Sequence, residues 1–410
     1  MPSIKKTTTS ELNATLNSNF LQIIDARSPD AYNGWRLLDE SRGGHIAGAR
    51  SLPHKWLKYM DWIEIVKSKD IQPNHKIVIY AYKKSESIDV ADSFIKAGYR
   101  DVSIYESFLN EWVKDSSLPM EQLKRYPFLV PPVWVKNMID GKDQEHSPGK
   151  NIVIVHAHYR NRKAYLSGHI PGAIDMDTLE LESPETWNRR TPEELKTNLE
   201  KHGISSNTSV IIYGKFMFPD NSDEFPGSAA GHIGAIRSAV IMMYAGVKDV
   251  RVLNGGFQSW KDAGYKISTK DVKKTPVHDF GCTIPAKPKF FIDVEEAKKY
   301  IASDKADIVS VRSWNEYIGE VSGYNYIEKK GRIPGSVFGN CGTDAYHMEN
   351  YRNADHTIRE TGEVESIWID AGIIPDKSLA FYCGTGWRGS EAFYNAWLMG
   401  WPKVAVFDGG

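Results

Sequence analysis

The chain has 410 residues, 41% hydrophobic and 25% charged, with 51 Lys and Arg against 52 Asp and Glu. That is an ordinary globular balance, and it excludes collagen-like, disordered and disulfide-scaffold classes. The near-zero net charge gives no overall bias toward nucleic acid or an anionic membrane, the length suits three domains of about 130 residues, and no apolar run approaches the ~18 residues of a membrane span.

In chain order, residues 1–15 are polar and lack the apolar core of a secretory signal, so a cytoplasmic location is expected. An apolar strand is predicted over 21–27, followed by the turn Gly44-His45-Ile46-Ala47-Gly48-Ala49, a second strand over 76–80, a helical stretch and a third strand over 102–105. The same series then recurs. A strand over 152–158 precedes Gly168-His169-Ile170-Pro171-Gly172-Ala173, with further strands over 209–213 and 250–253. A third copy has a strand over 307–312, Gly331-Arg332-Ile333-Pro334-Gly335-Ser336, and strands over 378–382 and 404–407. Tyr80 to Val102 and Tyr382 to Val404 both span 22 positions, whereas Tyr213 to Val250 spans 37, so the middle copy carries an insertion near 216–234. Ordered internal repetition of this kind marks tandem copies of one unit. Short apolar strands alternating with helices predict an α/β fold with a mostly parallel sheet covered by helices on both faces. The expected domains are 1–125, 126–275 and 276–410, with Pro-rich linkers near 119–132 and 270–288.

Chemistry in open α/β sheets collects at the carboxyl ends of strands. The residue after the second-strand tyrosine is Ala81 in the first unit and Gly214 in the second. In the third it is Cys383, followed by Gly384-Thr385-Gly386-Trp387-Arg388 and a helical run. A glycine-rich loop entering a helix can turn backbone N–H groups and the helix dipole onto a thiolate, and Arg388 adds a full charge. Cys383 is therefore the predicted nucleophile; the alternatives are a buried core thiol for Cys383 and a structural ion pair for Arg388. Arg312, at the end of the first strand of that unit, is a candidate anion-binding residue or a structural ion-pair partner. The aromatic stretch 317–330 is a candidate wall of the site or a solvated loop. Cys341 is expected to be a packed thiol, with a resolving role as the alternative, and Cys282 lies in a linker. Three cysteines make no disulfide framework, and no metal-ligand spacing, P-loop or dinucleotide fingerprint occurs.

These residues resemble the rhodanese-type sulfurtransferases, and the three units are similar to the three-domain bacterial group of that family. The resemblance rests on Cys383-Gly384-Thr385-Gly386-Trp387-Arg388, the Asp25-Ala26-Arg27 and Gly168-His169-Ile170-Pro171-Gly172-Ala173 signatures, and Asn254-Gly255-Gly256-Phe257. It implies a persulfide on Cys383, loaded from thiosulfate or 3-mercaptopyruvate and passed to cyanide or another thiophilic acceptor. The first two domains would be inactive. Gly384, Thr385, Gly386, Trp387, Arg388 and Arg312 would bind the small anionic donor, with neither metal nor organic cofactor. Ser310 in place of Asp25, and Arg332 in place of His45 and His169, depart from the pattern. Two rivals are a sulfur-relay protein that hands its persulfide to a protein partner, and a cysteine phosphatase. Such phosphatases resemble Cys-x-x-x-x-x-Arg, whereas four residues separate Cys383 from Arg388.

Overall fold

A computed structural model describes residues 4–38, 40–219 and 225–409; residues 220–224 of the insertion in the middle unit lie outside the described residues. Each repeat builds a five-stranded parallel sheet, and the strand order is the same in all three. Across the first sheet run Lys5–Lys6, Val102–Ile104, Lys76–Tyr80, Leu21–Asp25 and Arg50–Ser51. The second has Leu129–Val130, Asp249–Leu253, Ser209–Tyr213, Ile152–His158 and Ile174–Asp177. The third has Phe291–Ile292, Val404–Phe407, Ser378–Tyr382, Ala306–Ser310 and Val337–Phe338. Parallel neighbours require crossovers, which the helices Lys84–Lys96, Gly231–Ala245 and Trp387–Met399 supply between the second and third strands. The unbroken apolar run Ile77, Val78, Ile79 is fully buried because both faces of the sheet are covered.

The register explains the repeated motif. Asp25 pairs with Tyr80, His156 with Tyr213 and Ser310 with Tyr382. Each tyrosine hydroxyl then accepts the isoleucine N–H of the Gly-x-Ile turn, from Ile46 at 3.2 Å, Ile170 at 2.8 Å and Ile333 at 3.1 Å. The turn is thereby pinned to the strand end. His45 and His169 stack on Tyr32 and Tyr165 and bond those residues' carbonyls through Nδ1. In the third repeat Arg332 takes the same seat, with its guanidinium 4.5 Å from the Tyr317 ring centroid. A planar cation replaces a planar imidazole against the same aromatic face.

The chain divides into two compact units, Met1–Tyr126 and Pro127–Gly410. The second and third repeats thus share one body. Helix Gly231–Ala245 is buried along its whole length, since it packs on its own sheet and on helix Trp387–Met399 of the next repeat. This accounts for a helix with no solvent-facing polar side. Among the described residues no helix is long and apolar enough to cross a membrane.

Candidate active site

Cys383 stands directly after the strand Ser378–Tyr382, and the loop it opens becomes helix Trp387–Met399. Gly386 caps that helix in the left-handed region, at φ +80°, where a side chain is strained. Gly384 is a glycine for a different reason: a Cβ there would lie 2.4 Å from a ring carbon of Tyr324.

The loop wraps the sulfur. Cys383 is 2% exposed, and burial alone pushes its thiol up. The Arg388 charge and the backbone N–H groups of Gly389, Thr385 and Arg388 outweigh burial, and the thiol ends below its ordinary value. Arg388 is itself buried. Its Nη1 and Nη2 donate to Glu316 Oε2 and Oε1 at 2.9 and 2.6 Å, Nη2 also to the Tyr324 hydroxyl at 2.9 Å, and Nη1 to the Asp344 carbonyl at 3.1 Å. Bidentate pairing fixes the plane of the guanidinium. Burial pushes the Glu316 carboxyl up, yet Arg388 and Ser313 hold it below the usual carboxylate range. Cys341 lies 3.7 Å from Arg388 Nη1, but burial dominates there and pushes its thiol up to about 12. Two cysteines therefore share one arginine, and only Cys383 is favoured as thiolate. Cys282 is exposed.

Arg312 lies apart from this arrangement. It donates to Ser310 Oγ at 3.1 Å and to the Gly331 carbonyl at 2.7 Å, with its guanidinium over the Tyr382 ring. Its counterpart Arg27 does the same with Asp25, the Gly44 carbonyl and Tyr80. In both repeats the arginine ties the first strand to the Gly-x-Ile turn.

A pocket opens at the loop, lined by Thr385, Trp387 and Arg388. Tyr324 and Tyr326, from the aromatic stretch 317–330, form one wall. The middle repeat forms the other, with Tyr159, Trp187 and the insertion residues Gly227, Ala230 and Ile233. Trp187 stacks on Tyr326 at 5.2 Å, and Tyr159 meets Trp387 edge-on at 5.7 Å. So the repeat that carries Gly214 in place of a cysteine still supplies half of the pocket. No side chain fits at Gly214 itself, where a Cβ would lie 2.0 Å from the Gly231 carbonyl oxygen. Ala81 of the first repeat packs against that repeat's own core.

Sequence reasoning missed Glu316, Tyr159, Trp187, Glu182 and Arg237. Only Glu316 had a local signal, as the last residue of the capping box opened by Ser313. The rest approach the loop from more than a hundred positions away, and no local pattern marks them.

A profile of the Rhodanese-like domain matches residues 8–115, 132–263 and 293–410. Thiosulfate sulfurtransferase YnjE of Escherichia coli K12 is 37% identical over 94% of this chain and 85% of its own length. Sulfur carrier protein TtuD of Thermus thermophilus is 28% identical over 60% of this chain and 81% of its own. Among solved structures, EanB with ergothioneine is 60% identical, with a TM-score of 0.98, over 100% of this chain and 96% of that one. A second EanB structure of the same identity and TM-score holds a cysteine persulfide in a tetrahedral intermediate state with ergothioneine, and a third holds hercynine. Sulfur transfer is common to these relatives and agrees with a thiolate in a loop cradle, so the protein is a sulfurtransferase. It belongs to the rhodanese-like family, in the three-domain, YnjE-like group.

Proposed function

We propose that the protein carries sulfane sulfur as a persulfide on Cys383 and transfers it to the imidazole C2 of hercynine, giving ergothioneine. The observation that carries this reading is the 60% identity to EanB, with ergothioneine or hercynine bound, across the whole chain. The pocket supports it on chemical grounds. Hercynine is the trimethylammonium betaine of histidine, and a quaternary ammonium is attracted to aromatic faces. Tyr159, Trp187, Tyr324, Tyr326 and Trp387 line the cavity, while its one arginine, Arg388, is already paired with Glu316. That environment suits a quaternary ammonium group better than a small anion such as cyanide.

The transfer step balances without a further oxidant. The C2–H and S–S bonds break, and the C2–S bond forms. The C2 hydrogen leaves as a proton, and the S–S electron pair returns to Cys383. Carbon is oxidised by two electrons and the sulfane sulfur is reduced by two. A cradle that stabilises the Cys383 thiolate makes it a good leaving group in this step and a good nucleophile in the loading step.

The deciding experiment is single turnover. Persulfidated protein, freed of donor, is mixed with hercynine or with cyanide. Ergothioneine in proportion to the loaded sulfur is expected. Thiocyanate from cyanide with no ergothioneine from hercynine would favour the thiosulfate–cyanide reaction that the 37% identity to YnjE suggests. For the cation subsite, Tyr326→Ala removes one aromatic wall and is expected to raise KM for hercynine about tenfold, with the cyanide reaction unchanged. An equal loss with both acceptors would argue against a cation subsite.

A further inference from the structure

Glu182 belongs to the middle repeat and is fully buried. Its two carboxylate oxygens accept the indole Nε1–H of Trp387 at 2.9 and 3.0 Å, and Oε2 also accepts from Arg237 Nε at 3.3 Å. Arg237, on helix Gly231–Ala245 of the same repeat, is equally buried. Its Nη2 donates to Asp408 Oδ1 at 2.7 Å and to the Trp187 carbonyl at 3.0 Å, and its Nη1 to Ser390 Oγ at 3.4 Å. The same guanidinium covers Gly386, where a Cβ would lie 2.8 Å from Nη1. Of two successive residues of the Cys383 loop, Trp387 is therefore hydrogen-bonded and Gly386 closely covered by side chains of the neighbouring repeat. The residues on either side of them, Thr385 and Arg388, provide two of the three backbone N–H groups that hold the Cys383 thiol down.

We propose that Glu182 and Arg237 are positioning residues for the Cys383 loop, the means by which a repeat without its own cysteine sets the geometry of its neighbour's nucleophile. A buried ion pair adds little stability over apolar packing of the same volume, but it fixes one arrangement of the groups it joins. Here the joined groups are the indole, the loop backbone and Asp408, from two repeats. Burial pushes the Glu182 carboxyl up to about 7, against the opposing effects of Arg237 and Trp387, so the acceptor is held at a desolvation cost that packing alone would not require.

The proposal rests on Cys383 as sulfur carrier and is independent of the acceptor. Its test uses the full chain without acceptor: the pH midpoint of Cys383 alkylation by iodoacetamide, read on the Cys383 peptide by mass spectrometry. Glu182→Ala is expected to raise the midpoint by about one unit, because slackened N–H groups no longer favour the thiolate. Glu182→Gln, which keeps an acceptor oxygen, is expected to restore it. A direct field effect has the opposite sign, since removing a carboxylate favours a nearby thiolate. Trp387→Phe removes the indole N–H while keeping an aromatic ring, changes no charge, and is also expected to raise the midpoint. A midpoint unchanged or lowered in Glu182→Ala and Trp387→Phe overturns the proposal; should Glu182→Ala fail to fold, Trp387→Phe decides alone. Failure of Cys383 as carrier is read separately, as no sulfur gained on that peptide after donor treatment of the wild type.

Discussion

Cys383→Ser is expected to abolish sulfur transfer altogether. A hydroxyl cannot hold a persulfide, and neither remaining cysteine can replace it. Cys341 shares Arg388, but burial pushes its thiol up to about 12, so almost none of it is thiolate at neutral pH. Cys282 is exposed and lies outside the loop that cradles Cys383. Donor treatment of the wild type should add one sulfur atom to the Cys383 peptide, and acceptor should remove it. In Cys383→Ser both the mass gain and turnover should fall below detection, while Cys341→Ser and Cys282→Ser keep most activity. A stable extra sulfur on Cys341, with Cys383→Ser still active, would overturn the assignment of the carrier.

The second large effect is expected at Arg388. Both ends of its guanidinium are held by Glu316, so its influence on the reaction runs through the Cys383 thiolate rather than through a free contact with donor. Arg388→Ala should slow persulfide formation by about 10–100-fold at neutral pH, because the thiol midpoint rises and less thiolate is present. The same variant leaves Glu316 buried without its cation, which costs about 3–5 kcal/mol of stability. Arg388→Met combined with Glu316→Gln removes the pair together. That double variant should recover most of the stability, read by thermal unfolding, while persulfide formation stays slow. The sign for pH follows from the shift: the Arg388 charge opposes the upward push of burial on the Cys383 thiol, so in Arg388→Ala the thiol midpoint rises and the slowed loading should recover as pH rises toward that new midpoint. Loading that stays slow at high pH would instead assign Arg388 to donor binding, the role its place in the loop suggests from sequence.

Several features were legible in the chain itself because they are local. Three copies of one α/β unit follow from strand spacing, since a parallel strand buried on both faces needs a continuous apolar run. The single cysteine at a strand end, followed by Gly-Thr-Gly and a helix, follows from the backbone geometry such a loop demands. The tyrosine closing each second strand and the Gly-x-Ile turn were visible as repeated residues, although only the structure gives the hydrogen bond that joins them. Gly384 and Gly386 were legible only as loop glycines; the structure shows Gly386 capping the helix in the left-handed region, whereas Gly384 is small because Tyr324 lies against it, a contact across sixty positions of chain.

What the tertiary structure alone decided is which side chains meet at Cys383. Arg312 is open in sequence between anion binding and a structural role; the structure shows it bonded to its own strand and turn through Ser310 Oγ and the Gly331 carbonyl. Arg388 reads in sequence as a donor-binding charge with an ion pair as the alternative, and it is paired, because the capping-box glutamate Glu316 faces the loop rather than solvent. The middle repeat looked like a bystander, since Gly214 removes its nucleophile. Its helix Gly231–Ala245 has no exposed face, because the side turned away from its own sheet is buried against helix Trp387–Met399 of the next repeat. That packing brings Glu182, Arg237, Trp187 and Tyr159 to the loop of the next repeat. Residue types and spacing within one unit determine the unit and the cysteine-bearing loop at its strand end; burial of one repeat's helix against the next determines the pocket.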